Sequence, residues 1–163
     1  MDWEIFDAAL RVGEALEALG VEYHLGGSLA SSIHGIPRAT LDADLVADIR
    51  PGQGTRLRAL LGEGFYADAR AIEDAISRRR SFNVVHLESL LKVDVFVLGD
   101  SKFQRESFSR SRPEAIGRGG KGVRVATPED TVLHKLLWYE EGGRVSTRQW
   151  DDLVGVLKVQ GPR

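Results

Sequence analysis

A chain of 163 residues with 42% hydrophobic content has room for one packed domain around one real core. It has no cysteine, which excludes disulfides and thiolate metal sites, so any metal must be held by oxygen or imidazole ligands. Its net charge of −2 gives no argument for indiscriminate nucleic-acid binding, although the charge is unevenly placed along the chain. No apolar run approaches the roughly 20 residues of a membrane span, and the first ten residues carry acids in place of a leader's bases, so the expectation is a cytoplasmic protein without a membrane segment.

In chain order, Trp3 to Leu19 shows apolar residues at helical spacing and stops at Gly20. Val21 to Gly27 reads as a short strand, running through Gly26-Gly27-Ser28 into a small-residue helix from Leu29 to His34. Leu41 to Ile49 alternates, with Leu41, Ala43, Leu45, Ala47 and Ile49 on one side and Asp42, Asp44, Val46 and Asp48 on the other. Thr55 to Leu61 and Asp68 to Arg80 read as further helices. Phe82 to Leu87 and Leu91 to Leu98 are β-branched runs, expected as an antiparallel pair with Asp94 in the second. Residues 102–124 hold seven bases against two acids, and their glycine-rich turn leads to a strand over Val123 to Ala126. Thr127 then caps a helix with Pro128 at its first position, running to about Glu141, and a last helix spans Thr147 to Val159. The expectation is an α/β (α+β) fold in a single domain over residues 1–163. A mixed β-sheet lies within residues 21–126, flanked by helices, and residues 127–159 close it as a short C-terminal helical part.

Alternation along a strand places Asp42 and Asp44 side by side, where their charges repel unless a cation neutralises them. Paired acidic oxygens are what magnesium takes from a protein, and Asp94 on a neighbouring strand is placed to complete a two-metal site. Two acids in this spacing are by themselves more often surface residues than ligands. The turn Gly26-Gly27-Ser28 adds to the pattern, because it lets backbone approach a phosphate at the start of a helix, whose free N–H groups and positive dipole favour anions. Ser28 alone reads equally as an N-cap. The four histidines are too scattered for a zinc site, and Arg38 is a better phosphate contact than His34.

The run Gly26-Gly27-Ser28, then after thirteen intervening residues Asp42-Ala43-Asp44-Leu45, then Val93-Asp94-Val95, resembles the signature of the DNA polymerase β-like nucleotidyltransferase superfamily. The wording from His34 to Leu45 is similar to the AbiEii-type toxin branch and related small nucleotidyltransferase-like proteins, and so are Thr127-Pro128-Glu129-Asp130, Lys135-Leu136-Leu137 and Arg148 to Leu153. The resemblance implies an enzyme that moves a nucleoside monophosphate from a nucleoside triphosphate to an acceptor hydroxyl, with Mg2+ as cofactor and pyrophosphate released. It implies that Asp42, Asp44 and Asp94 bind the metal, and that Asp94 also draws the proton from the acceptor. Gly27 and Ser28 hold the triphosphate, and Lys135 reaches its phosphates. Of the adjacent acids Asp151 and Asp152, Asp151 is favoured as the C-terminal acid of the toxin branch. The acceptor is then RNA docked on the basic segment from Arg105 to Arg124, with an antitoxin as possible protein partner. A small antibiotic-type hydroxyl compound is the alternative acceptor, and a catalytically silent nucleotide-binding or protein-interaction module is the alternative of another class.

Overall fold

A computed structural model describes residues 3–116 and 120–161, with Lys121 described by its backbone alone. The first helix, α1 (Trp3–Ala18), presents Ile5, Phe6, Ala9, Val12 and Leu16 as one buried stripe, as its periodicity predicts. After Gly20, β1 (Tyr23–Leu25) runs into α2 (Gly27–His34), and β2 (Asp42–Ala47) follows. Next come α3 (Gly54–Leu61), β3 (Phe65–Tyr66), α4 (Ala69–Ser77), β4 (Ser81–His86) and β5 (Lys92–Val97). The last part holds α5 (Lys102–Arg110), β6 (Arg112–Ile116), β7 (Lys121–Val125), α6 (Pro128–Glu141) and α7 (Thr147–Gln160).

The strands form one mixed sheet of order β3-β4-β5-β2-β1-β7-β6. At its centre β2 runs parallel to β5 and antiparallel to β1, which is in turn parallel to β7. The alternation read from the sequence divides β2 as expected. Ala43, Leu45 and Ala47 are fully buried, while Asp42, Asp44 and Val46 are half-buried on the other face. Val93 and Val95 of β5 continue the buried face, and α1, α3 and α4 cover that side through Val12, Leu16, Leu57 and Ile72. Each such fully buried aliphatic side chain contributes about 1.5–3 kcal/mol, so the chemistry-bearing face rests on a rigid layer.

Three elements go beyond the sequence reading. The helix α5 has only Phe103 and Phe108 as large apolar residues, so its period is buried under charge; the Ser101 hydroxyl accepts from the Gln104 N–H and caps it. Strand β6 contains Pro113, which argues against a strand in a sheet centre, but β6 is the outermost strand and bonds only to β7. Strand β3 has two residues, too few for a periodic signal. The expected helix from Asp68 to Arg80 is shorter, capped by the Asp68 carboxylate and ended where Arg79 turns to φ 50°. Among the described residues no helix is long and apolar enough to cross a membrane.

Candidate active site

The site stands on the open face of the central strands. In the parallel register Asp44 lies beside Asp94 and Asp42 beside Lys92, and alternation sends all four side chains to the same face. The turn between β1 and α2 joins them: Gly26 N–H donates to the Asp44 carbonyl at 2.9 Å, and the Ser28 backbone N–H bonds the Asp44 carboxylate. Gly27 has φ 53°, in the left-handed region, and a Cβ there would collide with the Asp44 carboxylate. Glycine at this point is therefore what allows the turn and the acid to share one space.

Burial first, and then the charge of Asp42, push the Asp44 carboxyl up to about 6; Lys135 lowers it and Asp94 raises it further. Asp42 is fixed by Thr40, whose buried hydroxyl donates to Asp42 Oδ1 at 2.7 Å. Asp94 is engaged by Lys92, whose ammonium sits 2.8 Å from Asp94 Oδ2. No three acid or histidine side chains converge as a ready cation cage among the described residues. Asp42 and Asp44 nevertheless fit a hard cation, since their mutual repulsion is what such an ion relieves. Asp94 could join them only when Lys92 yields.

A second network stands behind the turn. Arg38 Nε and Nη2 donate to the two oxygens of Asp152 at 2.6 and 2.9 Å, and Nη2 also donates to Ser28 Oγ at 2.7 Å. Lys135 is 2% exposed, and its ammonium donates to Asp152 Oδ2 at 2.8 Å and to Ser28 Oγ at 3.5 Å. Burial would raise the Asp152 carboxyl, but the hydrogen bonds from Arg38 and Lys135 outweigh it and hold it below the ordinary carboxylate value. Helices α6 and α7 are thereby tied to α2, aided by Gly35, where a Cβ would strike the backbone of Gly155 and Val156.

Of the residues singled out in the sequence, Gly27, Ser28, Arg38, Asp42, Asp44, Asp94 and Lys135 gather here. Asp151 does not: it is exposed, and its neighbour Asp152 faces the site, because one step along a helix turns a side chain by about 100°. The Lys135 ammonium rests on Asp152, beside Ser28. His34 donates from Nε2 to the Ala126 carbonyl at 2.7 Å, a structural tie. Residues not anticipated are Lys92 and Thr40 beside the acids, and Arg148 and Gln149, which line a cleft with Ser28, Asp42, Asp44 and Lys135. Lys92 was discoverable, being two residues before Asp94 on a strand.

Part of the basic segment is tied down within the fold. Arg105 pairs with Asp48 and Asp100, Arg110 with Asp130, and Arg124 donates to the Ser111 carbonyl at 3.0 Å. Arg79 of the separate triplet pairs with Asp100 and Arg78 with Asp74. Arg118 and the Lys121 side chain lie outside the described residues.

No model of a known protein family matches the sequence, and no curated protein matches it. Solved structures do match its fold. The antibiotic-resistance factor ANT(2'')-Ia in solution superposes with TM-score 0.64 at 16% identity, over 99% of this chain and 86% of that one. The same factor in complex with adenylyl-2''-tobramycin gives TM-score 0.57 at 13% identity, over 95% and 88%. An antigenic nucleotidyltransferase-like protein from Paracoccidioides brasiliensis gives 0.54 at 19% identity, over 95% and 77%. At these identities the likeness establishes the fold, which is nucleotidyltransferase-like.

Proposed function

We propose that this chain, built on a nucleotidyltransferase-like fold, is a magnesium-dependent enzyme transferring a nucleoside monophosphate from a nucleoside triphosphate to a small-molecule hydroxyl. The observation that carries the reading is the interlock of Gly27 with Asp44, which makes the phosphate-type turn and the acidic strand one site. Asp42 and Asp44 would hold the metal, with Asp94 added once Lys92 swings away. Bound there, magnesium supplies charge neutralisation on the phosphates and on the departing pyrophosphate. The chain's own groups do the rest. The positive end of α2 and the Ser28 hydroxyl draw the phosphate oxygens, and Arg38 and Lys135, held against Asp152, set positive charge beside them. Asp94 accepts the proton as the acceptor oxygen bonds to the α-phosphorus, and the bond from that phosphorus to the bridging oxygen breaks.

A small acceptor is supported by two things: the fold neighbour that is bound to adenylyl-2''-tobramycin, and the ion pairing of Arg105 and Arg110 with acids of the same chain, which leaves less positive surface for RNA. The deciding experiment supplies each α-labelled nucleoside triphosphate with magnesium to aminoglycosides and other hydroxyl compounds, to total RNA and to protein, beside Asp44→Asn. Label on a small compound with wild type alone supports the proposal. Label on RNA, lost as salt rises, reassigns the acceptor to the toxin-like reading. No label anywhere, with no nucleotide binding, leaves a silent interaction module.

A further inference from the structure

Beyond Gly27 and Asp44 the open face of the sheet continues into a cavity of about 130 Å³, roofed by α5 and α6. Its floor includes Val46 and Phe96, the next outward positions of β2 and β5 after Asp44 and Asp94. Phe96 and Trp138 meet with ring centroids 5.9 Å apart and planes tilted by 34°, giving the cavity an aromatic side. Two of the residues that line it, 2% and 3% exposed, each carry a buried polar atom with no hydrogen-bond partner among the described residues: His24 Nδ1 and Thr131 Oγ1. Both are side chains that a packed core would satisfy or replace, since a buried hydroxyl or imidazole nitrogen left unpaired forfeits the hydrogen bond it had to water. Burial, and then the His134 and Arg124 charges, lower His24 to about 4, so its ring is neutral at physiological pH and suited to a neutral partner.

We propose that this cavity is the nucleobase subsite of the nucleoside triphosphate, the ring lying against Phe96 and Trp138 with its polar edge on His24 Nδ1 and Thr131 Oγ1. The inference rests on the reading of the adjacent turn as the triphosphate site. At about 130 Å³ the cavity is near the roughly 150 Å³ that holds benzene, room for about one ring. A neutral heteroaromatic supplies what both orphaned atoms lack, and stacking on an aromatic wall is a general mode of base binding. The cavity shares Gly27, Asp44 and Lys135 with the site described above, so one ligand spans both.

The test is calorimetric titration of the full chain, with magnesium present, by each of the four common nucleoside triphosphates and by inorganic tripolyphosphate. At least one nucleoside triphosphate is expected to bind about tenfold or more tighter than tripolyphosphate. Thr131→Val should weaken that nucleotide about three- to tenfold and leave tripolyphosphate unchanged, and His24→Leu should do the same. Thr131→Val keeps the side-chain shape and removes an unpaired buried hydroxyl, so it should melt no lower than wild type. Equal binding of nucleotide and tripolyphosphate by wild type overturns the base subsite, leaves the phosphate site standing and means that water fills the cavity. Nucleotide binding untouched by both substitutions overturns it as well. Failure of every triphosphate, tripolyphosphate included, overturns the subsite together with the reading it rests on.

Discussion

Replacing Asp44 with asparagine should stabilise the ligand-free protein at neutral pH while removing its proposed chemistry. The fold lifts this carboxyl from 3.8 to about 6, through burial first and Asp42 second, so between those values the native chain holds a proton that the unfolded chain has lost. Stability therefore falls as pH rises through that window, and the cost is fully present above it. At about 1.4 kcal/mol per tenfold change in proton affinity the ceiling is about 3 kcal/mol. Asp44 keeps an exposed edge, so screening leaves about 1–3 kcal/mol. Asparagine is neutral and nearly isosteric, and it retains an oxygen for the Ser28 N–H. Urea unfolding at about pH 7.5 should show a higher midpoint for Asp44→Asn, and at about pH 3.5, where both side chains are neutral, the difference should vanish. Magnesium should raise the wild-type midpoint and leave the variant's unmoved. A variant destabilised equally at both pH values would refute the reasoning, because the acid would then be a satisfied structural group.

Asp152→Ala should cost about 3–5 kcal/mol by stranding the buried Lys135 ammonium, whereas Asp151→Ala should stay within about 0.5 kcal/mol; parallel denaturation curves separate them. Gly27→Ala should destabilise by about 1–3 kcal/mol, combining the left-handed backbone with the collision at Asp44, and calorimetric melting reads it. Lys92→Met should tighten magnesium or manganese binding about three- to tenfold in direct titration, since it removes the cation that competes for Asp94.

Much of the site was legible because its residues obey short-range rules. The period of two between Asp42 and Asp44 fixes their common face wherever the strand goes, and Gly26-Gly27-Ser28 marks a turn by the backbone freedom of its glycines. Thr127-Pro128 announces a helix start in the same local way, and Thr127 does accept from the Asp130 N–H. What escaped was decided by partners far along the chain. The pattern of α5 is hidden by surface charge, and β6 is a strand only because its proline lies on the sheet edge. The basic segment reads as a free surface in one dimension, whereas in the fold two of its arginines, Arg105 and Arg110, are paired with Asp48, Asp100 and Asp130.

By itself, then, the sequence determined the mixed α/β composition, the acidic strand, the glycine turn and the order in which they occur, since each is set by spacing and conformational preference within a few residues. Tertiary structure alone decided that Asp94 stands beside Asp44, that Asp152 and not Asp151 anchors Lys135, that Lys92 already occupies the third acid, and that His24, Thr131 and Phe96 line one cavity. Strand register and helix rotation set those pairings. Both come from burying one face of every element in a shared core, a condition that no short stretch of the chain contains.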